Sequence, residues 1–334
     1  MLFLVIFKYS TMMFSFIVLT SPLIALSSSS WLIIWVMLEI NLMMFIPLMN
    51  MKMKSNMIHP SIKYFIIQAL ASLILFFSFI MTLKVNSPLS FSIFNELTSV
   101  SMAMKAGIPP FHFWLPQIIE NLNLFCLLIL LTWQKIIPTF ILSLTYTNFL
   151  PLLLIMGAIV GAIGGINQNS IKKVIMFSSM SHSSWMIISL LMSVKLWLMY
   201  FLMYFFINVN MVWFMKMWFM SKMSQINHLN NKKLKIIMVI NLMMLSSIPP
   251  FTSFLLKSMV IFSLIYTYQM MTLIIIMVLL SLITMIFYMK LSFFILFNNH
   301  TSTNLMKNYH LGDMFFPPFV TLMVNFLPLV FFFV

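Results

Sequence analysis

The chain has 334 residues, of which 63% are hydrophobic and 7% are charged. A soluble domain carries about 25% charged residues, so this composition excludes a soluble fold and indicates a polytopic membrane protein. Eighteen basic and four acidic residues give a net charge of +14. The basic residues are lysines that lie mostly in short polar breaks between apolar runs, a pattern that sets membrane topology, so we do not expect nucleic-acid binding.

About eleven apolar segments of roughly 20 residues follow one another, each long enough to cross the hydrocarbon core. We therefore predict an all-α polytopic transmembrane helix bundle of about eleven helices, which is a single transmembrane domain over residues 1–334. The predicted spans are 3–26, 30–49, 60–83, 91–119, 122–146, 149–167, 173–192, 196–220, 235–265, 269–297 and 315–334.

The loop lysines are distributed unevenly between the two sides of the predicted bundle. Loops after odd-numbered helices carry only Lys84 and Lys195. The positive-inside rule then predicts the N-terminus on the matrix-like side and the C-terminus on the opposite side. The loops after even-numbered helices carry Lys52, Lys54, Lys63, Lys172, Lys173, Lys222, Lys232, Lys233, Lys235 and Lys307.

The string IPPF occurs twice, at 108–111 and at 248–251, each time inside a long apolar segment. The two copies fall in the fourth helix of two successive sets of five. We therefore predict two inverted five-helix repeats, 1–146 and 149–297, each with one broken helix, followed by a C-terminal helix at 315–334. The alternative is that Pro-Pro only kinks two packed helices.

Four ionisable residues lie near the middle of apolar segments: Glu39, Lys105, Lys135 and Lys257. Such residues usually face the interior of a bundle and mark an ion or proton path. The alternatives are snorkelling for the lysines, which we expect for Lys8, Lys84, Lys195, Lys216 and Lys222 and leave open for Lys290, and a structural hydrogen bond or ion pair for Glu39.

Desolvation disfavours the charged form of a buried lysine, whereas a nearby carboxylate favours it. A Glu39–Lys105 pair that opens and closes would therefore switch the lysine between holding and releasing a proton. His112 and His182 are possible relay members, although a structural role explains each of them equally well. Glu120, at a predicted helix end, is expected to be a solvated cap.

Two features of the sequence limit the cofactors that this chain could hold. Cys126 is its single cysteine, which excludes an intrachain disulfide or a cysteine-ligated cluster, so we expect no metal site. Gly157, Gly161 and Gly165 recur at every fourth residue, which is typical of a packing face between membrane helices. Because no strand precedes them and no acidic residue follows, a nucleotide-binding turn is not expected.

Several strings carry a family resemblance. They resemble the antiporter-like membrane subunits of respiratory complex I, and in particular the mitochondrial NADH dehydrogenase subunit 2 family and its insect members. One departure is Ser253, where relatives often have glycine. The strings are LEIN at 38–41, KAGIPPFHFWLPQIIE at 105–120, LTWQKIIP at 131–138, GAIGGINQNSIKKVIMFSSMSHSSW at 161–185 and SSIPPFTSFLLK at 246–257.

The resemblance implies a proton path through Glu39, Lys105, Lys135 and Lys257 in a multi-pass subunit of the mitochondrial inner membrane. It implies proton translocation coupled to electron transfer from NADH to ubiquinone, with FMN, iron–sulfur clusters and ubiquinone held by other subunits and no cofactor in this chain. The implied partners are other membrane-arm subunits, accessory subunits and lipids. Two alternatives stay open, a cation/proton antiporter subunit and a structural membrane subunit without a proton path.

Overall fold

The fold is taken from a computed structural model, which describes residues 2–51, 58–84, 88–145, 147, 149–166, 168–217, 232–266 and 271–297. The regular elements within these ranges are helices. In chain order they are α1 Leu2–Ser27, α2 Trp31–Asn50, α3 Ile58–Lys84, α4 Pro88–Ala106, α5 Trp114–Ile119, α6 Leu124–Leu131, the 3-10 turn Trp133–Lys135, α7 Ile136–Leu144, α8 Leu150–Gly164, α9 Ile171–Met192, α10 Val194–Met217, α11 Lys232–Ser246, α12 Thr252–Tyr266 and α13 Met271–Phe297.

The predicted all-helical membrane fold is confirmed over the described residues. Each of the first ten predicted segments coincides with one helix or with a pair of helices separated by a break. By length and composition, seven helical spans among the described residues could cross a membrane. The predicted helix at 315–334 lies outside the described residues.

The chain divides into two compact units, Met1–Met156 and Gly157–Val334, with the boundary inside α8. In the first unit, α2 packs against α1 and α3, and α4 packs against α3 and α7. The buried face of α2 consists of residues at helical spacing, which are Leu38, Asn41, Leu42, Phe45, Leu48 and Met49. This regular spacing turns one side of α2 inward.

In the second unit, α9 is the central helix and packs against α10 and α12. Of the residues in its apolar window, 94% are buried, against 33% for α13. Several serine hydroxyls of α9 donate to the carbonyl three residues earlier, so their polar groups are satisfied within the helix itself. Helix α9 can therefore be polar in composition and still fill the centre of the unit.

The predicted packing role of the glycines is visible at Gly161. A Cβ atom there would lie 2.8 Å from the backbone nitrogen of Ser181 on α9, so glycine permits this close contact between α8 and α9. Gly165 follows the end of α8 and packs against the ring of Phe287 on α13.

Candidate functional site

The first break follows α4 and is built by Gly107. Its φ of +67° lies in the left-handed region, and its N–H donates to the carbonyl of Met104 at 3.2 Å. The N–H of Ile108 donates to the carbonyl of Ala103 at 2.9 Å, which completes the Schellman motif that ends many helices. The next turn is closed by the N–H of Phe111, which donates to the carbonyl of Ile108 at 3.0 Å.

Lys105 sits in the last turn of α4 and lines a small cavity in the first unit. Lys135 lines the same cavity, together with Tyr64, Gln68, Asn41, Trp114 and Gln134. About 20 Å³ of this cavity is open to water-sized spheres, and a cavity needs about 10–15 Å³ on this measure to hold one water. The structure thus brings Lys105 and Lys135 to one polar, water-sized space.

Lys135 lies at a further helix interruption, which the sequence analysis did not predict. Helix α6 ends at Leu131, the 3-10 turn Trp133–Lys135 follows, and α7 begins at Ile136. Pro138 explains the interruption, because its ring clashes with the turn before it and it has no N–H to donate to the carbonyl of Gln134. Lys105 and Lys135 therefore each lie about one helical turn before a proline.

Glu39 lies on α2, within electrostatic range of the Lys105 ammonium. Asn41, two residues after Glu39 on α2, forms a reciprocal amide pair with Gln134. The Asn41 amide donates to Gln134 Oε1 at 2.9 Å, and the Gln134 amide donates to Asn41 Oδ1 at 2.8 Å. This pair joins the helix that carries Glu39 to the turn that carries Lys135.

The second break follows α11 and has Ser247 where the first has Gly107. Ser247 has a φ of +60°, and its N–H donates to the carbonyl of Met244 at 3.4 Å. The N–H of Phe251 donates to the carbonyl of Ile248 at 2.9 Å, as in the first break. The Ser253 hydroxyl, at the start of α12, also donates to the carbonyl of Met244 and so links the two sides of the break.

Lys257 lies on α12, beyond the second break. Its ammonium is 5.6 Å from the ring centroid of Trp185 on α9, which is a cation–π distance. His182, on the same helix, has Nδ1 2.9 Å from the Tyr200 hydroxyl and Nε2 3.2 Å from the carbonyl of Leu245. The exposed fractions of the three mid-membrane lysines show that none of them reaches an open surface: 7% for Lys105, 2% for Lys135 and 6% for Lys257.

The remaining predicted residues fall outside these clusters. His112 is half-buried, does not line the cavity of Lys105 and Lys135, and has no hydrogen-bond partner for Nδ1 among the described residues. Glu120 is exposed at the C-cap of α5, as expected. The side chains of Lys195, Lys216 and Lys290 are exposed, whereas those of Lys8, Lys84 and Lys222 lie outside the described residues.

Sequence analysis missed the neutral partners of the lysines. Gln68 was visible as a lone amide within an apolar run, and Asn41 as the last residue of LEIN. Tyr200 and Trp185 gave no signal, because aromatic residues are common in apolar segments of this chain. The structure places Gln68, Asn41 and Trp185 in hydrogen bonds or a ring contact near the lysines, and Tyr200 in a hydrogen bond with His182. Over the described residues it brings together no group of three or more His, Cys, Asp or Glu side chains that could hold a metal ion.

Broken helices within a membrane bundle, with buried charged residues beside the breaks, are typical of secondary transporters. The family model described as NADH:quinone oxidoreductase/Mrp antiporter, transmembrane, matches residues 28–284. The chain belongs to this family. It is 39% identical to NADH-ubiquinone oxidoreductase chain 2 of Anopheles gambiae over 309 residues, which cover 90% of each protein.

Solved structures share the fold. A chain of respiratory complex I from Thermus thermophilus, solved with bound aureothin, superposes with a TM-score of 0.82 at 16% identity, covering 95% of this chain and 77% of that chain. A chain of the Mrp complex from Dietzia superposes with a TM-score of 0.71 at 14% identity, covering 82% of this chain and 58% of that chain. At these identities the superpositions show the common fold.

Proposed function

We propose that this chain is a membrane-arm subunit of an NADH:ubiquinone oxidoreductase and that it translocates protons as electrons pass from NADH to ubiquinone. The insect relative with 39% identity over nine-tenths of both chains supports this assignment. In this proposal the redox groups (FMN, iron–sulfur clusters and ubiquinone) bind to other subunits and this chain holds none. Its partners are the neighbouring antiporter-like subunits, accessory subunits and lipids.

The observation that carries the pumping role is the burial of three lysines beside interrupted helices. A mid-membrane charge costs at least about 2.5–3.5 kcal/mol, so such residues are rare without a functional reason. The interruptions at Gly107 and at Trp133–Lys135 lie close to lysines that line a cavity able to hold a water. A lysine in that setting can exchange a proton with water while staying inside the bundle.

In the proposed path, Glu39 controls the loading of Lys105. Approach of the Glu39 carboxylate favours the ammonium form of Lys105, and its withdrawal favours release of the proton to the cavity that Lys135 shares. Lys135 then passes the proton on towards Lys257. His112 is a candidate relay member in this scheme, and the two five-helix repeats 1–146 and 149–297 form the frame that carries it.

The proposed location is the mitochondrial inner membrane. We place the N-terminus on the matrix side and the C-terminus on the side of the intermembrane space, because the loop lysines are concentrated after the even-numbered helices. Labelling of single cysteines introduced into loops, in sealed mitoplasts with a membrane-impermeant reagent, tests this topology. Labelling of even-numbered loops from outside the mitoplasts would reverse the assignment.

Replacement of Lys105 or Lys257 by methionine in the assembled complex tests the pumping role. The rate of proton translocation should fall by roughly tenfold or more, because proton-transfer groups typically contribute about 10²–10⁴-fold to a rate. Lys216→Met is the matched control, since Lys216 is exposed at the end of α10. An unchanged translocation rate in both lysine variants would indicate a structural subunit without a proton path.

A cation/proton antiporter subunit is the second candidate, because the family includes Mrp antiporters. Native electrophoresis of gently solubilised membranes separates the two. The chain should be found by mass spectrometry in the large band that stains for NADH dehydrogenase activity. Its presence only in a smaller inactive band would favour the antiporter.

A further inference from the structure

The first proline of each IPPF string removes a specific hydrogen-bond donor from its helix. In an α-helix the carbonyl of residue i accepts from the N–H of residue i+4, and proline has no N–H. Pro109 therefore leaves the carbonyl of Lys105 without its helical donor, and Pro249 does the same to the carbonyl of Leu245. Within a membrane such groups need a partner from the protein, because no bulk water reaches them.

A side chain from a neighbouring helix supplies the missing donor in each unit. Gln68 Nε2, on α3, donates to the carbonyl of Lys105 at 3.2 Å. His182 Nε2, on α9, lies 3.2 Å from the carbonyl of Leu245 and must carry the hydrogen, since a carbonyl can only accept. Both side chains are buried, with exposed fractions of 6% for Gln68 and 3% for His182. The two proline breaks are thus capped in the same chemical way by different residues.

The same two helices also contact the far side of each break. Tyr64 lies four residues before Gln68, and its ring centroid is 5.9 Å from that of Trp114, the first residue of α5. Trp185 lies three residues after His182 and faces Lys257 on α12. Residues three or four apart share one face of a helix, so α3 and α9 each present a polar cap and an aromatic ring to their own break.

We propose that Gln68 with Tyr64, and His182 with Trp185, are the positioning residues of the two breaks. Each pair, called a clamp below, fixes the end of the helix before Pro-Pro and contacts the helix after it. The clamp thereby holds the buried lysine, Lys105 or Lys257, in the geometry that proton transfer requires. The effect on proton transfer rests on the proposed function, whereas the effect on the breaks does not.

The hydrogen bonds of His182 define its part in the clamp. With Nε2 donating to the carbonyl of Leu245, Nδ1 accepts from the Tyr200 hydroxyl at 2.9 Å. The neutral imidazole then has both ring nitrogens engaged and offers no free site to a travelling proton. The structure assigns His182 to capping the end of α11, in preference to the relay role considered from the sequence.

Exchanging the two caps separates capping from proton relay. His182→Gln keeps an N–H donor but cannot carry a proton at this site, whereas His182→Leu has neither property. In the assembled complex in lipid vesicles, His182→Gln should keep the rate of proton translocation within about twofold of the wild type. His182→Leu should lower this rate about tenfold, which equals ~1.4 kcal/mol of activation free energy and is typical of a buried hydrogen bond left unmade. Equal losses in both variants would overturn the capping role.

Local amide exchange tests the clamps without reference to pumping. Gln68→Leu in the assembled complex should speed exchange about tenfold at residues 103–115 and leave residues 243–257 unchanged, because only the first break loses its cap. His182→Leu should show the reverse pattern, and Gln68→His, which keeps a donor, should resemble the wild type. Gln168→Leu is the control, since Gln168 lies outside both breaks and donates locally to the carbonyl of Gly164 at 3.1 Å.

The combined outcomes distinguish the two proposals. Unchanged exchange at both breaks in the leucine variants would refute the clamps, whatever happens to pumping. Altered exchange in the leucine variants, together with unchanged pumping in Lys105→Met and Lys257→Met, would support the clamps and refute the proton path. If the leucine variants fail to assemble while Gln68→His and His182→Gln assemble, the donor is required for the fold, which supports the clamps. Failure of all four variants to assemble would count against a role that depends on the donor.

Discussion

The first break has its lysine on the helix before Pro-Pro, and the second has its lysine on the helix after it. Lys105 lies in the last turn of α4, where the partial negative charge of the helix end favours a cation by about 0.3–1 kcal/mol. Lys257 lies in the second turn of α12, near a helix N-terminus that disfavours a cation. There the face of Trp185 provides the attraction instead, at about 0.5–2 kcal/mol.

The shared IPPF tetrapeptide determines the path of the backbone at each break. It does not determine which groups surround the buried lysine. Both breaks have a residue at positive φ and a hydrogen bond from the Phe N–H to the Ile carbonyl. The groups that stabilise the cation differ between the units: the end of its own helix α4 for Lys105, and Trp185 of α9 for Lys257. Four substitutions test how far the two breaks are equivalent.

The largest effect is expected for Gly107→Ala. A Cβ atom at Gly107 would lie 2.2 Å from Leu115 Cδ1, and Leu115 is buried. Overpacking costs about 1–3 kcal/mol and a left-handed alanine about 1–2 kcal/mol, so we expect about 2–5 kcal/mol in total. Amide exchange at residues 103–115 should rise by at least about 10-fold, since 1.36 kcal/mol corresponds to tenfold. The corresponding variant Ser247→Ala should not speed exchange at residues 243–257, because Ser247 already has a Cβ atom at positive φ.

Asn41→Leu should destabilise the first unit by about 1–3 kcal/mol, because it leaves the half-buried amide of Gln134 without its partner. The double variant Asn41→Leu with Gln134→Leu should recover most of the loss, which a double-mutant cycle on amide exchange around residues 131–138 can measure. Asn210→Leu is a matched contrast, since the Asn210 amide nitrogen has no hydrogen-bond partner among the described residues. Additive losses from Asn41 and Gln134 would show that their pairing contributes nothing.

Ser253→Ala should loosen the second break by about 0.5–1.5 kcal/mol, because the hydroxyl joins α12 to the carbonyl of Met244. Faster amide exchange at residues 247–257, without change at residues 107–113, is the expected result. Ser258→Ala controls for loss of a hydroxyl, since Ser258 bonds only locally to the carbonyl of Leu255 three residues before it. Equal effects of the two variants would mean that the link across the break is unimportant.

The smallest effect, and the only stabilising one, is expected for Ser247→Gly. Ser247 has a φ of +60°, and its buried hydroxyl has no hydrogen-bond partner among the described residues. Glycine removes both costs. It should raise the free energy of local opening at the second break by about 0.5–1 kcal/mol and so slow amide exchange there. Ser247→Ala removes the hydroxyl alone, so a gain from alanine equal to that from glycine would locate the cost in the hydroxyl rather than in the backbone.

Much of the fold was predictable from the sequence because apolar length alone defines membrane segments. Ten predicted segments coincide with described helices, and the buried lysines were visible as charges within apolar runs. The partners of the lysines were not predictable, because lipid-facing and core-facing positions are both apolar and leave no periodicity to orient each helix. The amide pair of Asn41 and Gln134 and the contact of Trp185 with Lys257 therefore needed three-dimensional coordinates. The interruption at Trp133–Lys135 was in principle visible from Pro138.

The clamp helices have a consequence for the order in which the chain is made. In both units the clamp helix precedes its break in the sequence, α3 before α4 and α9 before α11 and α12. During synthesis from the N-terminus, Gln68 and His182 therefore enter the membrane before the carbonyls that they cap, and Trp185 enters before Lys257. The broken helices and Lys257 are costly to insert into lipid, but the side chains that contact them are already in the membrane when they emerge. The clamp helices α3 and α9 therefore assist the insertion of the helices that follow them.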